Sequence, residues 1–323
     1  MEVAKPWSVS DRVCYIHLGT HKTGTTSIQA YLGANDRRFA ADGVFVPRSG
    51  RTDPAYGSHH NIAWELRGDD RYDPAFGSVD DLIGELRAST ARVACLSSED
   101  FELLWYVPHA FARFCASVRS AGWTPRAIVY LRSQAQYCER VYAELLKHGY
   151  RTGFSQYLDE VLNAGTFAWG RGLGAPFDYE ALLHFVECAT ESHETVVRAY
   201  HSGATGRVLL TEFARTLGVT ESSAYVVPAR LNRTASFGEI LRTLGQSGGL
   251  ALPVTLPFTP LTARQAARVA RRFGASNLAL ARRYGVVIPP VTWHELLRPL
   301  EHVFAPRRAR AISAAQLALA RTA

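Results

Sequence analysis

A chain of 323 residues with 47% hydrophobic and 20% charged residues can bury a large core, which excludes an intrinsically disordered chain. Its net charge of +7 (36 Lys and Arg against 29 Asp and Glu) favours anionic ligands. The basic residues are spread out rather than gathered in a run with interleaved aromatics, so no nucleic-acid partner is expected.

The five cysteines (Cys14, Cys95, Cys115, Cys138 and Cys188) are odd in number and lack a short C-x-x-C spacing, which argues against a disulfide framework or a zinc site. Each falls in an apolar or helical run, the setting of a buried rather than a nucleophilic thiol. Residues 1–11 lack the features of a signal peptide, and no segment approaches the roughly 20 apolar residues of a membrane span. A cytoplasmic protein without a membrane span is expected.

In chain order, residues 13–18 form a short apolar run, a Gly/Thr-rich turn follows at 19–26, and residues 27–32 carry apolar side chains at helical spacing. This predicts a strand–loop–helix unit. Strands are predicted at 44–46, 92–96, 127–131 and 195–200, and helices at 111–121 and 135–148. Residues 51–72, rich in Gly, Asp, Tyr and His, read as a functional loop region with one amphipathic segment at 61–66, and 165–177 as a second Gly-rich loop. Beyond Asn232 the signals are helical, broken by Pro253, Pro257 and Pro260; the arginine runs at 268–272 and 307–310 read as solvated helix faces. Strands alternating with helices imply a P-loop-type α/β fold: a mostly parallel sheet flanked by helices, with a helical C-terminal extension. A single domain is expected, with its core at about 12–230 and the helical region at about 231–323. The C-terminal region either covers the site or supports a homodimer.

The turn Gly19-Thr-His-Lys-Thr-Gly-Thr-Thr26 is close to the Walker pattern, with the lysine moved ahead of the second glycine. Glycine lets the backbone approach an anion, successive amides form a nest, and a helix N-terminus adds partial positive charge. Lys22 supplies a cation; Thr25 and Thr26 supply hydroxyls. A turn that only caps a helix is the alternative, and the coincidence of these features directly after a strand tells against it. A second element is Arg132, leaving the fourth strand where ligands of open α/β sheets bind, with a planar fork suited to phosphate.

The segment 17–29, His-Leu-Gly-Thr-His-Lys-Thr-Gly-Thr-Thr-Ser-Ile-Gln, resembles the 5'-phosphosulfate loop of the sulfotransferases that use 3'-phosphoadenosine-5'-phosphosulfate (PAPS), in particular bacterial carbohydrate-type proteins carrying H-x-G-x-x-K-T-G-T-T-x-x-Q. The resemblance implies that the amides of Thr23, Gly24, Thr25 and Thr26 hold the 5'-phosphate and that Lys22 stabilises the leaving oxygen. Arg132 would bind the 3'-phosphate. The family places a serine eight residues later, where this chain has Arg140. Either Arg140 replaces the hydroxyl contact with a charged one, or it points to solvent and Ser133 or a residue elsewhere serves. His21 either touches phosphate or shapes the turn. The R-K-G loop of the cytosolic small-molecule branch is absent from the sequence, and similarity elsewhere, to about Tyr284, is diffuse.

Sulfuryl transfer to a hydroxyl needs a base for the acceptor proton and cations for the leaving group. Glu99, just past the third strand, and His60, in the Gly/Tyr loop, are the base candidates, followed by His59. Their ordinary alternatives are a helix cap for Glu99 and stacking on Tyr56 or Trp64 for a histidine. Trp169 and Arg171 are candidates for lining an acceptor pocket. The expected reaction moves a sulfuryl group from PAPS to a glycan or small hydroxylated metabolite, leaves 3'-phosphoadenosine-5'-phosphate, and requires no metal. The competing readings are a P-loop kinase or NTPase, for which Asp100 is the arguable magnesium ligand, and a non-catalytic nucleotide-binding relative.

Overall fold

The computed structural model describes residues 12–20, 23–170, 173–200, 206–220, 224–228 and 261–288. The expectations at His21, Lys22, Arg171, 231–260 and 289–323 lie outside the described residues. The sheet contains β1 Val13–Leu18, β2 Val44–Phe45, β3 Val93–Ser98, β4 Thr124–Leu131 and, after a separate hairpin, β7 Val196–Ala199. Its order is β2-β3-β1-β4-β7 with every pairing parallel, so β1 is central and all carboxyl ends lie along one edge. His17 stands opposite Ser97 on one side and Ile128 on the other.

All six β1 residues are buried, as expected where helices cover both faces of a parallel sheet. Alternation divides them between two cores. Val13 and Tyr15 pack with Ile28, Tyr31 and Leu32 of α1 (Thr25–Ala34), Phe39 of α2 (Asp36–Ala41) and Leu210 and Phe213 of α9 (Gly206–Thr216). Cys14, Ile16 and Leu18 join the opposite core with α3 (His60–Arg67), α4 (Val79–Ala88), α5 (Pro108–Ser120), α6 (Gln134–Lys147), α7 (Phe154–Ala164) and α8 (Tyr179–Thr190).

The Gly-rich stretch predicted as a loop at 165–177 contains an antiparallel hairpin, β5 Thr166–Trp169 with β6 Leu173–Pro176. Its glycines hide a short alternating pattern in which Phe167 is buried, and the Tyr106 hydroxyl donates to the Phe167 carbonyl at 2.7 Å. Gly174 lies so close to Tyr106 that an added Cβ would meet its hydroxyl at 2.7 Å. The other predicted loop, 51–72, contains α3, and the stretch before α3 is tied down. Arg51 is buried, donating to the carbonyls of Pro47 at 2.6 Å and Val46 at 2.5 Å and pairing with Asp36 at 3.3 Å.

The C-terminal helix α10 (Ala263–Tyr284) starts at a capping box between Thr262 and Gln265. Polar contacts dock it along its length, Arg268 pairing with Asp159 and Arg272 Nε donating to the Leu162 carbonyl at 2.8 Å among them. Arg283 and Tyr284 both donate to the buried Glu187, each at 2.5 Å; Ser276 donates to Asp178 at 2.9 Å; and the amides of Asn277 and Gln134 exchange bonds of 3.0 and 2.7 Å. The last pair fastens α10 to the first residue of α6, directly beyond Arg132 and Ser133. Among the described residues no helix is long and apolar enough to cross a membrane. Four cysteines are buried, but Cys188 is exposed, because position 188 falls on the outer face of α8; its sulfur lies 3.7 Å from His184 Nε2.

Candidate active site

The carboxyl ends of β1, β3 and β4 bring the threonines of the loop, Glu99 and Arg132 to one edge of the sheet, and His60 joins them through Ser98. After Leu18 the chain turns over the edge, and the Gly19 amide donates to the Ser98 carbonyl at 3.1 Å. The Thr20 hydroxyl donates to the Tyr130 carbonyl at 2.5 Å and the Thr23 hydroxyl to the Thr20 carbonyl at 2.6 Å, so the two side chains brace the turn from within. Gly24 holds φ 87° and ψ 13° at the N-cap of α1, and no side chain caps the helix. The Ser27 and Ile28 amides bond to the Gly24 carbonyl at 2.9 and 3.1 Å, and the helix N-terminus adds partial positive charge at this edge. The Thr25 hydroxyl is buried with no hydrogen-bond partner, under Gly19, where a Cβ would approach it to 2.3 Å. Thr26 follows half-buried in the same first turn.

Arg132 leaves β4 with 6% exposure, and its Nε has no hydrogen-bond partner. Its backbone carbonyl accepts from the buried Tyr179 hydroxyl at 2.7 Å, and its guanidinium lies 4.6 Å from the centroid of Tyr200. Burial lowers the proton affinity of Arg132 below the ordinary arginine value; Tyr200 works in the other direction and the charge of Arg140 adds to the lowering. Arg140, half-buried on α6, is therefore within electrostatic reach of Arg132. Ser133 occupies the α6 N-cap position without bonding to the helix by its side chain. Tyr200 links the two motifs, since a Cβ on Gly24 would sit 3.2 Å from its ring.

The three base candidates meet very different surroundings. His59 is fully buried; its Nε2 donates to the Pro47 carbonyl at 3.0 Å and its Nδ1 accepts from the Ser97 amide at 3.1 Å. Both nitrogens are spent, and burial holds its pKa down at about 3, so the ring braces β3 against the loop and offers nothing to an acceptor. His60 has its Nδ1 2.8 Å from Ser98 Oγ and 3.2 Å from Asp100 Oδ2, and its ring stacks on Trp64. Glu99 is half-buried and accepts from Gln29 of α1 at 3.2 Å.

His17, at the head of the motif, is also fully buried: Nδ1 is 2.8 Å from Ser97 Oγ, Nε2 has no partner, and burial brings its pKa to about 3. Trp169 is half-buried in an aromatic group with Tyr150, its ring centroid 5.7 Å away. Among the described residues no cluster of His, Cys, Asp and Glu is placed to hold a metal ion.

Sequence reasoning passed over Tyr200 and Ser98, and gave Gln29 only as the last position of the motif. The available signal was the pair Ser97-Ser98 closing an otherwise apolar strand, since two hydroxyls at the carboxyl end of a central strand seldom serve packing alone.

The fold is that of an α/β protein with a five-stranded parallel sheet, flanking helices and a C-terminal helix, and a Gly/Thr-rich turn follows its central strand. No protein-family model matches the chain, and no curated protein is similar to it in sequence. Among solved structures, a sulfotransferase from Alicyclobacillus acidocaldarius is similar over 82% of this chain and 96% of its own, with 14% identity and a TM-score of 0.41. At that distance the likeness says nothing about nucleotide, acceptor or catalytic residues.

Proposed function

We propose that this chain transfers a sulfuryl group from PAPS to a hydroxyl of a glycan or small hydroxylated metabolite. The observation that carries this is Arg132. A buried guanidinium costs several kcal/mol to desolvate unless an anion answers it. Here its Nε has no protein partner, Tyr200 lies under the group and bonds to it, and Arg140 and the Glu139 carboxyl are its charged neighbours. The site therefore suits an anion, and a 3'-phosphate is the group that the resemblance assigns to it. The uncapped start of α1, with the buried unpartnered Thr25 hydroxyl, offers a second anion position for the 5'-phosphate.

In the reaction the acceptor oxygen attacks sulfur and forms the new O–S bond. The S–O bond to the 5'-phosphate breaks, and its electron pair leaves with 3'-phosphoadenosine-5'-phosphate. The acceptor proton goes to His60 or Glu99. Lys22 and the amides of Thr23, Gly24, Thr25 and Thr26 offset the charge on the leaving oxygen, so no step calls for a metal. Asp100, which a magnesium-dependent phosphoryl transfer would need free, is bonded to Trp64, Arg71 and His60.

Calorimetric titration with 3'-phosphoadenosine-5'-phosphate, beside ADP and ATP with and without magnesium, tests the reading. Micromolar, magnesium-independent binding that requires the 3'-phosphate is expected. Preference for magnesium-ATP, or no binding at all, overturns it.

A further inference from the structure

We propose that Asp100 is the positioning residue for the acceptor base: it holds His60 with the proton on Nδ1 and the lone pair on Nε2. The proposal rests on the sulfuryl-transfer reading for the role of the base and goes beyond it by choosing His60 over Glu99 and naming what orients it.

A carboxylate only accepts hydrogen bonds, so Asp100 Oδ2, 3.2 Å from His60 Nδ1, favours the proton on that nitrogen, and the Ser98 hydroxyl 2.8 Å away can accept from it as well. Hydrogen-bond donors and cations surround the Asp100 carboxyl group. Trp64 Nε1 donates to Oδ2 at 3.1 Å, and Arg71 and Arg67 lie 3.4 and 3.7 Å from Oδ1. Asp69 holds these two arginines in turn, at 2.8 and 3.3 Å. The Asp100 amide donates to Ser98 Oγ at 3.0 Å, which sets the carboxylate and the hydroxyl on the same side of His60. The Trp64 ring, tilted by 18° at 5.9 Å, fixes the imidazole plane.

With Nδ1 spent, Nε2 is the ring atom left for an acceptor. The His60 side chain is 17% exposed, and no hydrogen bond engages Nε2 among the described residues. Burial disfavours the charged ring, but the bond to Asp100 and the charges of Glu99 and Asp100 outweigh burial and Arg71, so the proton affinity ends above that of an ordinary imidazole. Ser98 ties this group to the phosphate loop: its hydroxyl meets His60 and its carbonyl holds the Gly19 amide. Proton transfer from the acceptor to Nε2 makes an imidazolium beside an existing carboxylate, the arrangement that stabilises a general base in other folds.

Long-range proton–nitrogen correlation spectra of the full chain test this without a known acceptor, with His60→Gln identifying the His60 signals. The expected result is an Nδ1–H tautomer titrating above 6.5, the ordinary imidazole value, with the midpoint falling by roughly one unit in Asp100→Asn as the carboxylate charge is lost. An Nε2–H tautomer in the unsubstituted protein overturns the proposal, as does an unmoved midpoint in a folded Asp100→Asn. If Asp100→Asn does not fold, the tautomer of the unsubstituted protein still decides. The acid limb of 3'-phosphoadenosine-5'-phosphate release from PAPS, with water as the probe acceptor, is expected to track the His60 midpoint. A limb that stays while the midpoint moves assigns the base to Glu99. Absence of nucleotide binding in the calorimetry above is a separate failure, that of the sulfuryl-transfer reading.

Discussion

Arg132 lies over the ring of Tyr200, 4.6 Å from its centroid, at the point where β4 and β7 end side by side. The Tyr200 amide donates to the Leu131 carbonyl at 2.7 Å, so the residue under the guanidinium is fixed by the sheet itself. A cation on an aromatic face keeps its outward N–H groups for a ligand, whereas one paired with a carboxylate would not.

Arg132→Ala is therefore expected to weaken 3'-phosphoadenosine-5'-phosphate binding by about 10- to 100-fold, the worth of a charge-assisted hydrogen bond of about 1.5–3 kcal/mol. Adenosine 5'-phosphosulfate lacks the 3'-phosphate and should lose little. Calorimetry with both nucleotides checks this, and equal losses would remove Arg132 from its assigned role.

Gly24 and Gly68 separate the demands of the loop from those of the backbone. Both have left-handed φ, at 87° and 60°. A Cβ at Gly68 meets nothing within 4 Å, whereas one at Gly24 lies 2.6 Å from Leu209 Cδ2 and 3.2 Å from the Tyr200 ring. Gly68→Ala should cost the left-handed penalty alone, roughly 1–2 kcal/mol, and leave nucleotide binding intact. Gly24→Ala should cost more and also weaken nucleotide binding, because the loop must shift away from Tyr200. Thermal unfolding and nucleotide titration of the two variants decide; matched behaviour would mean that the loop is not shaped by this contact.

The strands of the parallel sheet were legible because each is a short apolar run bounded by turn residues, and β1 runs from 13 to 18 in both the reading and the structure. The loop motif was legible because its residues are contiguous. What escaped is non-local. The 165–177 hairpin depends on Tyr106, some 60 positions earlier, and no periodicity within the segment shows it. His59 and His60 are adjacent and chemically identical in sequence, yet a one-residue step turns the first into the core, between Pro47 and Ser97, and sets the second against Asp100. Which of two neighbouring histidines keeps a free nitrogen is decided by strands and loops about 40 residues away, and only the fold brings them together.

Lys22 falls in sequence between Thr20 and Thr23, whose hydroxyls bond to the Tyr130 and Thr20 carbonyls. Lys22→Ala should therefore spare the fold and lower turnover by about 10²–10³-fold, the scale of a group that meets charge developing on a leaving oxygen. Release of 3'-phosphoadenosine-5'-phosphate from PAPS measures turnover, and circular dichroism monitors the fold. Retained turnover would shift the leaving-group role to the loop amides alone.

The buried histidines predict how stability responds to acid. Burial depresses the pKa of both His17 and His59 from 6.5 to about 3 in the folded protein. Between those values the unfolded chain binds protons that the folded chain refuses, so this contribution is complete above pH 6.5 and is lost as pH falls towards 3. At pH 5.5 each histidine should cost about 1.4 kcal/mol relative to pH 7.5. His60 acts in the opposite sense: its raised pKa adds stability that is complete below 6.5 and fades as pH rises, which offsets part of the loss. Denaturant unfolding at pH 7.5 and 5.5 should show a net loss of about 1–2 kcal/mol. His59→Gln should reduce that difference by about 1.4 kcal/mol whatever its effect on absolute stability, because one of the two unfolded-state protonations that oppose folding is then gone. Stability that is flat or rises across this interval would mean that these rings take up protons in the folded state, which for His59 the Ser97 amide bonded to its Nδ1 does not allow without rearranging the end of β3.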